Sequence, residues 1–318
     1  MDAVASAANR GARHEIPIEG PGVTLHLFDI DLPKFGDPSL GWHLFETDAL
    51  KTAPVSRLRN LDGILVCSKW AAAVLHSMGF APQAVHVVPG GVDTDLFMPH
   101  RSSDTDRFVF LNIGMWQRRK SQDILVDAFL EAFPKGTDAV LKFLTNWSPY
   151  RTSDTYEEIK THVLARAGDR IEFLPYIKHY SDLPALFSQV DCGVFPYRGE
   201  GWCMPLIEMM ACGKPAIATY HSGPTEYLNE DNAYLLHPSG YEYAFDIPHF
   251  LGEGRWATIH KGDLVDLLRH AYQQGRRTNH AGIETAKKFS WKNSARRLME
   301  VVENFPVCSE VCGVQLRR

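Results

Sequence analysis

The segment 199–215 carries the clearest chemical signal in this sequence, because it places two carboxylates around the expected start of a helix. Glu200 precedes that helix and Glu208 lies about one turn inside it. Pro205 suits the first helical position, where a missing N–H costs nothing. Residues 201–204 then leave backbone N–H groups at a helix end that carries partial positive charge and attracts phosphate. The segment is therefore suited to bind a diphosphate through amides and sugar hydroxyls through carboxylates.

The run G-E-G-W-C-M-P-L-I-E-M-M-A-C-G-K-P resembles the E-x7-E signature of retaining glycosyltransferases of family 4, which have the GT-B fold. The resemblance implies that Glu200 lies near the donor sugar and that Glu208 binds the ribose. Cys203 stands where that family commonly has Gly, so its side chain is expected to crowd the approach of the diphosphate. Met209 stands where Ala is common. Two glutamates at this spacing without the rest of the run would indicate only an ordinary helix start.

A second cluster, in 114–120, holds three adjacent cations between an expected strand and an expected helix. Ligands of open α/β sheets bind at the carboxyl ends of the strands, so this turn is placed to meet a diphosphate. Arg binds phosphate bidentately and Lys binds it as a point charge. The turn is similar to a family loop in which an Arg and a Lys contact the donor phosphates: Lys120 matches the Lys, and either Arg118 or Arg119 matches the Arg. Three cations in a turn are also typical of a solvated surface.

The turn 221–226 follows a further expected strand and resembles a family turn that lines the donor site. Gly223 permits an unusual backbone conformation close to a ligand. Glu226 either contacts the donor or caps the short helix that follows. Trp202, in the first segment, either covers the sugar or packs at the interface between domains.

In the first part of the chain, 41–48 together with 57–68 resembles a subset of the same family. The position of 41–48 at a strand end predicts that Glu46 or His43 points into the cleft between domains and contacts the acceptor or donor sugar. The alternatives are a helix cap for Glu46 and a packed, hydrogen-bonded ring for His43.

Length and composition limit the classes of function. A chain of 318 residues suits two domains, and a hydrophobic content of 45% is normal for a globular protein. The net charge of −5 argues against binding nucleic acid by general electrostatics. No run approaches the roughly 20 apolar residues of a membrane span, and residues 1–15 do not resemble a signal peptide. The six cysteines lack zinc-like spacing. We therefore expect reduced thiols and a cytoplasmic location, with attachment to a membrane surface left open.

Short apolar runs alternate with helical patterns along the chain, which predicts a parallel sheet in an α/β fold. Early runs at 23–30, 42–45, 63–67 and 84–88 indicate strands, and 69–78 indicates a helix closed by Gly79. Later strands are expected at 108–113, 139–144, 171–174, 192–196, 216–219 and 233–236. Later helices are expected at 121–133, 156–166, 183–189, 264–274 and 291–304.

The Pro-, Gly- and Asp-rich segment 87–99 marks a boundary and resembles the family's hinge between two Rossmann-like domains. The hinge comes early for that family, so the first strand, its Gly-rich turn and the next helix are expected to be missing. We expect poor order in 1–20, a shortened acceptor-side domain in 21–95, a nucleotide-sugar domain in 96–290, and a crossover helix and tail in 291–318. A second chain, identical or different, is an alternative way to complete the first domain.

The resemblance implies transfer of a sugar from a UDP-, GDP- or ADP-sugar to a carbohydrate or glycoconjugate acceptor, with retention and without a cofactor or metal. The alternatives are a non-catalytic nucleotide-sugar-binding subunit and a GT-B-type epimerase or phosphorylase. The predicted catalytic residues are Glu200, Lys120 and Arg119. The predicted substrate-binding residues are Glu208, Arg118, Gly201, Trp202, Cys203, Met204, Glu46, His43, Gly223 and Glu226.

Overall fold

The computed structural model describes residues 22–27, 36–99, 106–145, 156–246 and 250–306. Within them the chain forms two parallel sheets with flanking helices and one separate β-hairpin. The expectations for 1–20, for 28–30 and for the cysteines at 308 and 312 lie outside these residues. Across the described ranges, no helix combines the length and the apolar character needed to span a membrane.

The first sheet joins four parallel strands in sequence order. They are β1 (Gly22–Leu27), β2 (Ser39–Leu44), β3 (Gly63–Val66) and β4 (Val85–Val87). Two helices follow β2 and β3, namely α1 (Thr52–Leu58) and α2 (Lys69–Ser77). The Ser68 hydroxyl caps α2 by accepting the N–H of Ala71, and Gly79 follows the helix with a φ of +84°. The sequence predicted these elements except α1.

The second sheet contains six parallel strands in the order β10-β9-β8-β5-β6-β7. They are β5 (Phe108–Ile113), β6 (Ala139–Leu144), β7 (Ile171–Phe173), β8 (Cys192–Phe195), β9 (Ala216–Thr219) and β10 (Tyr234–Leu236). The helices among and after them are α3 (Gln122–Ala132), α4 (Tyr156–Ala167), α5 (Leu183–Ser188), α6 (Met204–Ala211), α7 (Lys261–Gln274) and α8 (His280–Lys288). The predicted strands all form, with ends within one residue of those expected. The helix α8 was not predicted.

Helices cover both faces of this second sheet, because alternate strand residues point to opposite sides. Phe110 of β5 joins a core with Leu125 of α3 and Leu264 of α7. Its neighbour Leu111 joins a different core with Leu206 of α6. The sheet is therefore buried on both faces. Ligands of open α/β sheets bind at the carboxyl ends of the strands, so the loops at that end are the candidates for a site.

The hairpin consists of β11 (Gly240–Asp246) and β12 (Phe250–Thr258), which pair antiparallel. The sequence did not predict it. Along β11 the aromatic residues Tyr241, Tyr243 and Phe245 face solvent, whereas Glu242 and Ala244 are less exposed. The alternation of residues along 240–246 is typical of a strand, but its aromatic side faces solvent instead of the core.

The last described helix, α9 (Trp291–Glu303), packs on the first sheet although it follows the second. Val301 and the adjacent Phe305 share a core with Leu40 of β2 and Leu65 of β3. The last helix therefore crosses back onto the first sheet.

Candidate functional site

The basic turn follows β5, and the loop that contains Glu200 follows β8, the neighbouring strand. Since β5 and β8 are parallel, both segments lie at the carboxyl end of the sheet. Arg118–Lys120 forms a single 3-10 turn. The backbone N–H of Arg198 donates to the carbonyl of Arg119 at 2.7 Å, which fixes the turn against the loop after β8. The two segments that sequence reasoning singled out are in direct contact.

A buried ion cluster connects the two segments. The Arg119 Nη1 lies 2.8 Å from Glu200 Oε1, and the Lys120 ammonium pairs with the same oxygen. The Arg119 Nη2 lies 3.3 Å from Glu46 Oε1, which comes from the loop after β2 in the first sheet. The cluster thus contains two cations and two carboxylates, and it includes one residue from the other sheet.

Burial and charge act in opposite directions on these groups. Burial raises the pKa of Glu200, but Arg119 and Lys120 outweigh it and hold that pKa below its usual range. Burial lowers the pKa of Arg119, but Glu200 and Glu46 outweigh it and raise that pKa. Both groups are therefore charged at neutral pH. The Arg119 Nε is buried and has no hydrogen-bond acceptor among the described residues.

Arg118 does not join this cluster. Its Nη2 lies 3.1 Å from Glu242 Oε2 in the hairpin, and its backbone N–H donates to Asp246 at 3.2 Å. Arg198 pairs with the same Glu242 from the other side. The family resemblance allowed either Arg118 or Arg119 to be the phosphate-binding arginine. In the structure Arg119 contacts Glu200, whereas Arg118 binds the hairpin.

The turn after β9 supports the backbone of the Glu200 loop. The Glu200 N–H donates to Ser222 Oγ at 2.9 Å, and the Gly223 N–H donates to the Glu200 carbonyl at 2.9 Å. A Cβ at Gly223 would overlap the carbonyl of Gly201. Gly223 is thus required by close backbone approach, and the unusual backbone conformation expected there belongs to Ser222, with a φ of +57°.

The helix start expected after Glu200 is present at α6. Cys203 precedes it with a φ of +61°, in the left-handed region that glycine adopts most easily. This conformation accounts for the Gly that the family commonly has there. Met204 is the first helical residue, so Pro205 is the second rather than the first, and its missing N–H still costs no helical bond. Burial raises the pKa of the Cys203 thiol to about 12, so it stays protonated.

Trp202 is buried in an aromatic group and does not stand open to a ligand. Its ring centroid lies 4.9 Å from that of Tyr227 and 5.7 Å from that of Phe289. Its Nε1 nitrogen is buried without a hydrogen-bond partner in the described residues. Gly201 lies against the end of β2, because a Cβ there would lie 3.4 Å from Leu44. Packing at the interface is the role the geometry gives both residues.

Glu208 lies on α6 and is only 2% exposed. The hydroxyl of Tyr180, which belongs to the short turn Tyr180–Asp182, donates to Glu208 Oε1. Burial raises the pKa of Glu208 to about 7, and the hydrogen bond from Tyr180 acts against that rise. Glu208 does not share an ion pair with the Glu200 cluster.

The remaining predicted residues lie where the two sheets meet. His43 is buried on β2, with its ring centroid 5.6 Å from that of Phe45. The Glu226 Oε2 accepts the N–H of Lys69 at 2.7 Å, so it caps α2 of the other sheet rather than its own following turn. A helix N-terminus favours such a carboxylate.

Three site residues escaped sequence reasoning: Tyr180, Arg198 and Ser222. Arg198 follows β8 closely, so its position at a strand end was a usable signal. Tyr180 gave none, because its contact with Glu208 depends on how a distant turn folds back. Among the described residues, no group of three or more His, Cys, Asp or Glu side chains is placed to hold a metal ion.

Part of the chain is similar in sequence to a family of glycosyl transferases. The family model described as "Glycosyl transferases group 1" matches residues 107–246. Mannosylfructose-phosphate synthase from Agrobacterium fabrum is 24% identical over 269 residues, covering 79% of this chain and 56% of that protein. A D-inositol 3-phosphate glycosyltransferase from Mycobacterium bovis is 28% identical over 240 residues, covering 72% of this chain and 45% of that protein. The chain thus spans about half the length of these relatives.

Comparison with solved structures identifies the fold. Anabaena Alr3699/HepE in complex with UDP has a TM-score of 0.63 at 17% identity, covering 84% of this chain and 72% of that one. Sucrose-phosphate synthase from Thermosynechococcus elongatus has a TM-score of 0.66 at 20% identity, covering 85% and 68%. The protein therefore shares the fold of these structures, an α/β, GT-B-like fold with two Rossmann-like units that face a cleft.

Proposed function

We propose that the protein transfers a sugar from a nucleotide-diphosphate sugar to an acceptor hydroxyl. One observation carries this proposal: Arg119 and Lys120 converge on Glu200 directly before the start of α6. A diphosphate in that place would meet two cations and the positive end of a helix dipole. The match of residues 107–246 to group 1 glycosyl transferases supports the same function.

The chemistry assigned to these residues is stabilisation of the leaving group. Breaking the bond between the anomeric carbon and the phosphate oxygen develops negative charge on the diphosphate. Arg119, Lys120 and the first amides of α6 would stabilise that charge in a site with little water. Glu200 would orient the donor sugar and hold both cations in place. Retention of configuration, by attack of the acceptor on the same face, is part of the proposal and is drawn from the family resemblance.

Donor binding would require an exchange of partners at Arg119. The cluster is neutral as it stands, with two cations and two carboxylates. The Glu200 side chain is 7% exposed and pairs with both cations, whereas the Glu46 side chain is 18% exposed and has the longer ion pair with Arg119. The diphosphate would therefore displace Glu46 from Arg119. Glu208 would take the ribose hydroxyls after Tyr180 releases it.

The domain roles belong to the same proposal. Residues 21–95 would supply the acceptor side of the cleft and 96–290 the nucleotide-sugar side, with 291–318 as crossover helix and tail. We also propose that the reaction proceeds without a bound metal, since Arg119 and Lys120 can supply the positive charge that Mg²⁺ supplies elsewhere. A cytoplasmic location remains a prediction.

The experiment that tests the function has two stages. A panel of UDP-, GDP- and ADP-sugars is screened by thermal shift, because a ligand of the native state raises the melting temperature. Any donor found is then incubated with and without sugar acceptors, and products are measured by mass spectrometry. Transfer that Lys120→Ala abolishes is the expected result.

Other outcomes of that experiment would contradict the proposal. Donor binding without transfer or hydrolysis would indicate a binding subunit. Change of the donor sugar without any acceptor would indicate an epimerase. No binding of any nucleotide sugar would refute the assignment of the site.

A further inference from the structure

The outer face of the hairpin carries a row of exposed aromatic rings that the ion cluster does not use. Tyr241, Tyr243 and Phe245 lie on one face of β11 and are 56%, 74% and 47% exposed. Leu251, paired with Phe245 across the hairpin, is 52% exposed. Alternate residues of a strand point the same way and lie roughly 6.5 Å apart, so the three rings follow one another along the same side of β11. Exposed apolar patches of this kind mark interaction sites.

The opposite face of the hairpin is fixed to both halves of the protein. Glu242 pairs with Arg118 and Arg198 of the site loops. The Trp256 Nε1, also on that face, donates to the Glu46 carbonyl at 3.0 Å. On the aromatic face, Arg255 is the cross-strand partner of Tyr243, and its Nη2 lies 2.8 Å from Asp48. The aromatic row is therefore held in a set position relative to the ion cluster and does not hang on a loose arm.

A chain of ring contacts joins this row to the acceptor-side sheet. The centroid of Tyr241 lies 5.5 Å from that of His221, and His221 lies 5.8 Å from Trp70 of α2. Trp70 in turn lies 5.7 Å from Phe45, which follows β2. His221 directly precedes Ser222, which holds the Glu200 backbone. The row is thus continuous with the rim of the proposed site.

We propose that the aromatic row binds the sugar rings of an extended glycan acceptor beyond the unit that receives the transferred sugar. This inference rests on the proposed function. Sugar rings present apolar C–H faces that stack on aromatic rings, and their hydroxyls reach the polar ends of tyrosines. The exposed side chains of Glu253 and Arg255 flank the row and offer an acceptor and donors of hydrogen bonds.

The charge of the hairpin favours a glycan over a membrane. The exposed face carries one carboxylate, Glu253, and one guanidinium, Arg255, whereas Glu242 on the other face is paired with Arg118 and Arg198. Attraction to anionic lipid requires an excess of cations, which this surface lacks. A neutral glycan needs no such excess.

The test uses the full chain on an array of oligosaccharides of two to eight sugar units, without nucleotide sugar. The best glycan is then titrated by tyrosine and tryptophan fluorescence. Tyr243→Ala and Phe245→Ala should each weaken binding roughly three- to tenfold, the range expected for loss of one aromatic contact. Tyr243→Phe should bind nearly as well as the native protein because it keeps the ring. Met299→Ala, which removes an exposed apolar side chain of α9, is the matched control.

Two results would overturn the inference. One is that no glycan binds, or that the ring variants bind as tightly as the native protein. The other is that native protein co-floats with vesicles of phosphatidylcholine and phosphatidylglycerol and the ring variants do not, while glycan binding is unchanged. Donor binding is measured separately by thermal shift, so a failure here is distinguishable from a failure of the proposed transferase activity.

Discussion

Replacing Glu208 with Gln should stabilise the protein at pH 8, although it removes a side chain of the proposed nucleotide site. Burial raises the pKa of Glu208 from an ordinary 4.5 to about 7 in the folded protein. The folded state therefore holds this proton more tightly than the unfolded chain does. The contribution of protonated Glu208 to the free energy of unfolding is fully present below about pH 4.5 and is lost as the pH rises through 7.

The size of the effect follows from the two pKa values. Each pH unit between them corresponds to about 1.4 kcal/mol, so the loss at pH 8 reaches about 3 kcal/mol. At pH 5 the corresponding loss is below about 1 kcal/mol. Gln cannot ionise, and its amide oxygen can still accept the Tyr180 hydroxyl. Glu208→Gln should therefore exceed the native protein in stability by about 2–3 kcal/mol at pH 8 and differ little at pH 5.

Urea denaturation followed by tryptophan fluorescence at pH 5 and pH 8 measures this difference. Glu303→Gln, the same chemical change at an exposed position on α9, should behave like the native protein at both pH values. If Glu208→Gln were less stable than the native protein at pH 8, the carboxylate would have to be ionised and well bonded. The argument from burial would then be wrong.

Three further predictions concern the Glu200 site. Lys120→Ala should cut turnover roughly 10²-fold or more and lower stability by less than that loss of turnover represents in free energy, since Arg119 still pairs with Glu200; equal losses of both, in kinetics and urea denaturation, would point to a structural role. Gly223→Ala should destabilise the fold by more than about 2 kcal/mol, because a Cβ there would overlap the Gly201 carbonyl, whereas Gly240→Ala should be tolerated; similar melting temperatures for the two variants would contradict this. EDTA should leave transferase activity intact, and a loss that Mn²⁺ or Mg²⁺ restores would refute the metal-free proposal.

The parallel sheets were predictable because their strands are short, mainly apolar runs separated by turns or helical patterns. Runs such as 108–113 and 139–144 are apolar apart from one polar residue each, Asn112 and Lys142, which suits strands covered on both faces. The contact between the basic turn and Glu200 was also predictable in outline, because both follow strands of one sheet. The choice between Arg118 and Arg119 was not, because adjacent residues in a tight turn point in different directions.

Contacts between residues distant in sequence could not be predicted from local sequence patterns. Glu226 caps a helix of the other sheet, and Tyr180 reaches Glu208 from a separate turn. No periodic pattern in the sequence marks either of these contacts. The hairpin was missed although Tyr241, Tyr243 and Phe245 alternate with other residues as in a strand; that alternation does not reveal that the rings face solvent.

The crossover of α9 has a consequence for biosynthesis. The strands β2 and β3 emerge from the ribosome early, yet Leu40 and Leu65 complete their core with Val301 and Phe305. Until those late residues have been translated, this apolar surface stays open to water and to chaperones. The first sheet therefore cannot finish folding ahead of the second, and a nascent chain halted after residue 290 should bind chaperones more strongly than one halted after 306.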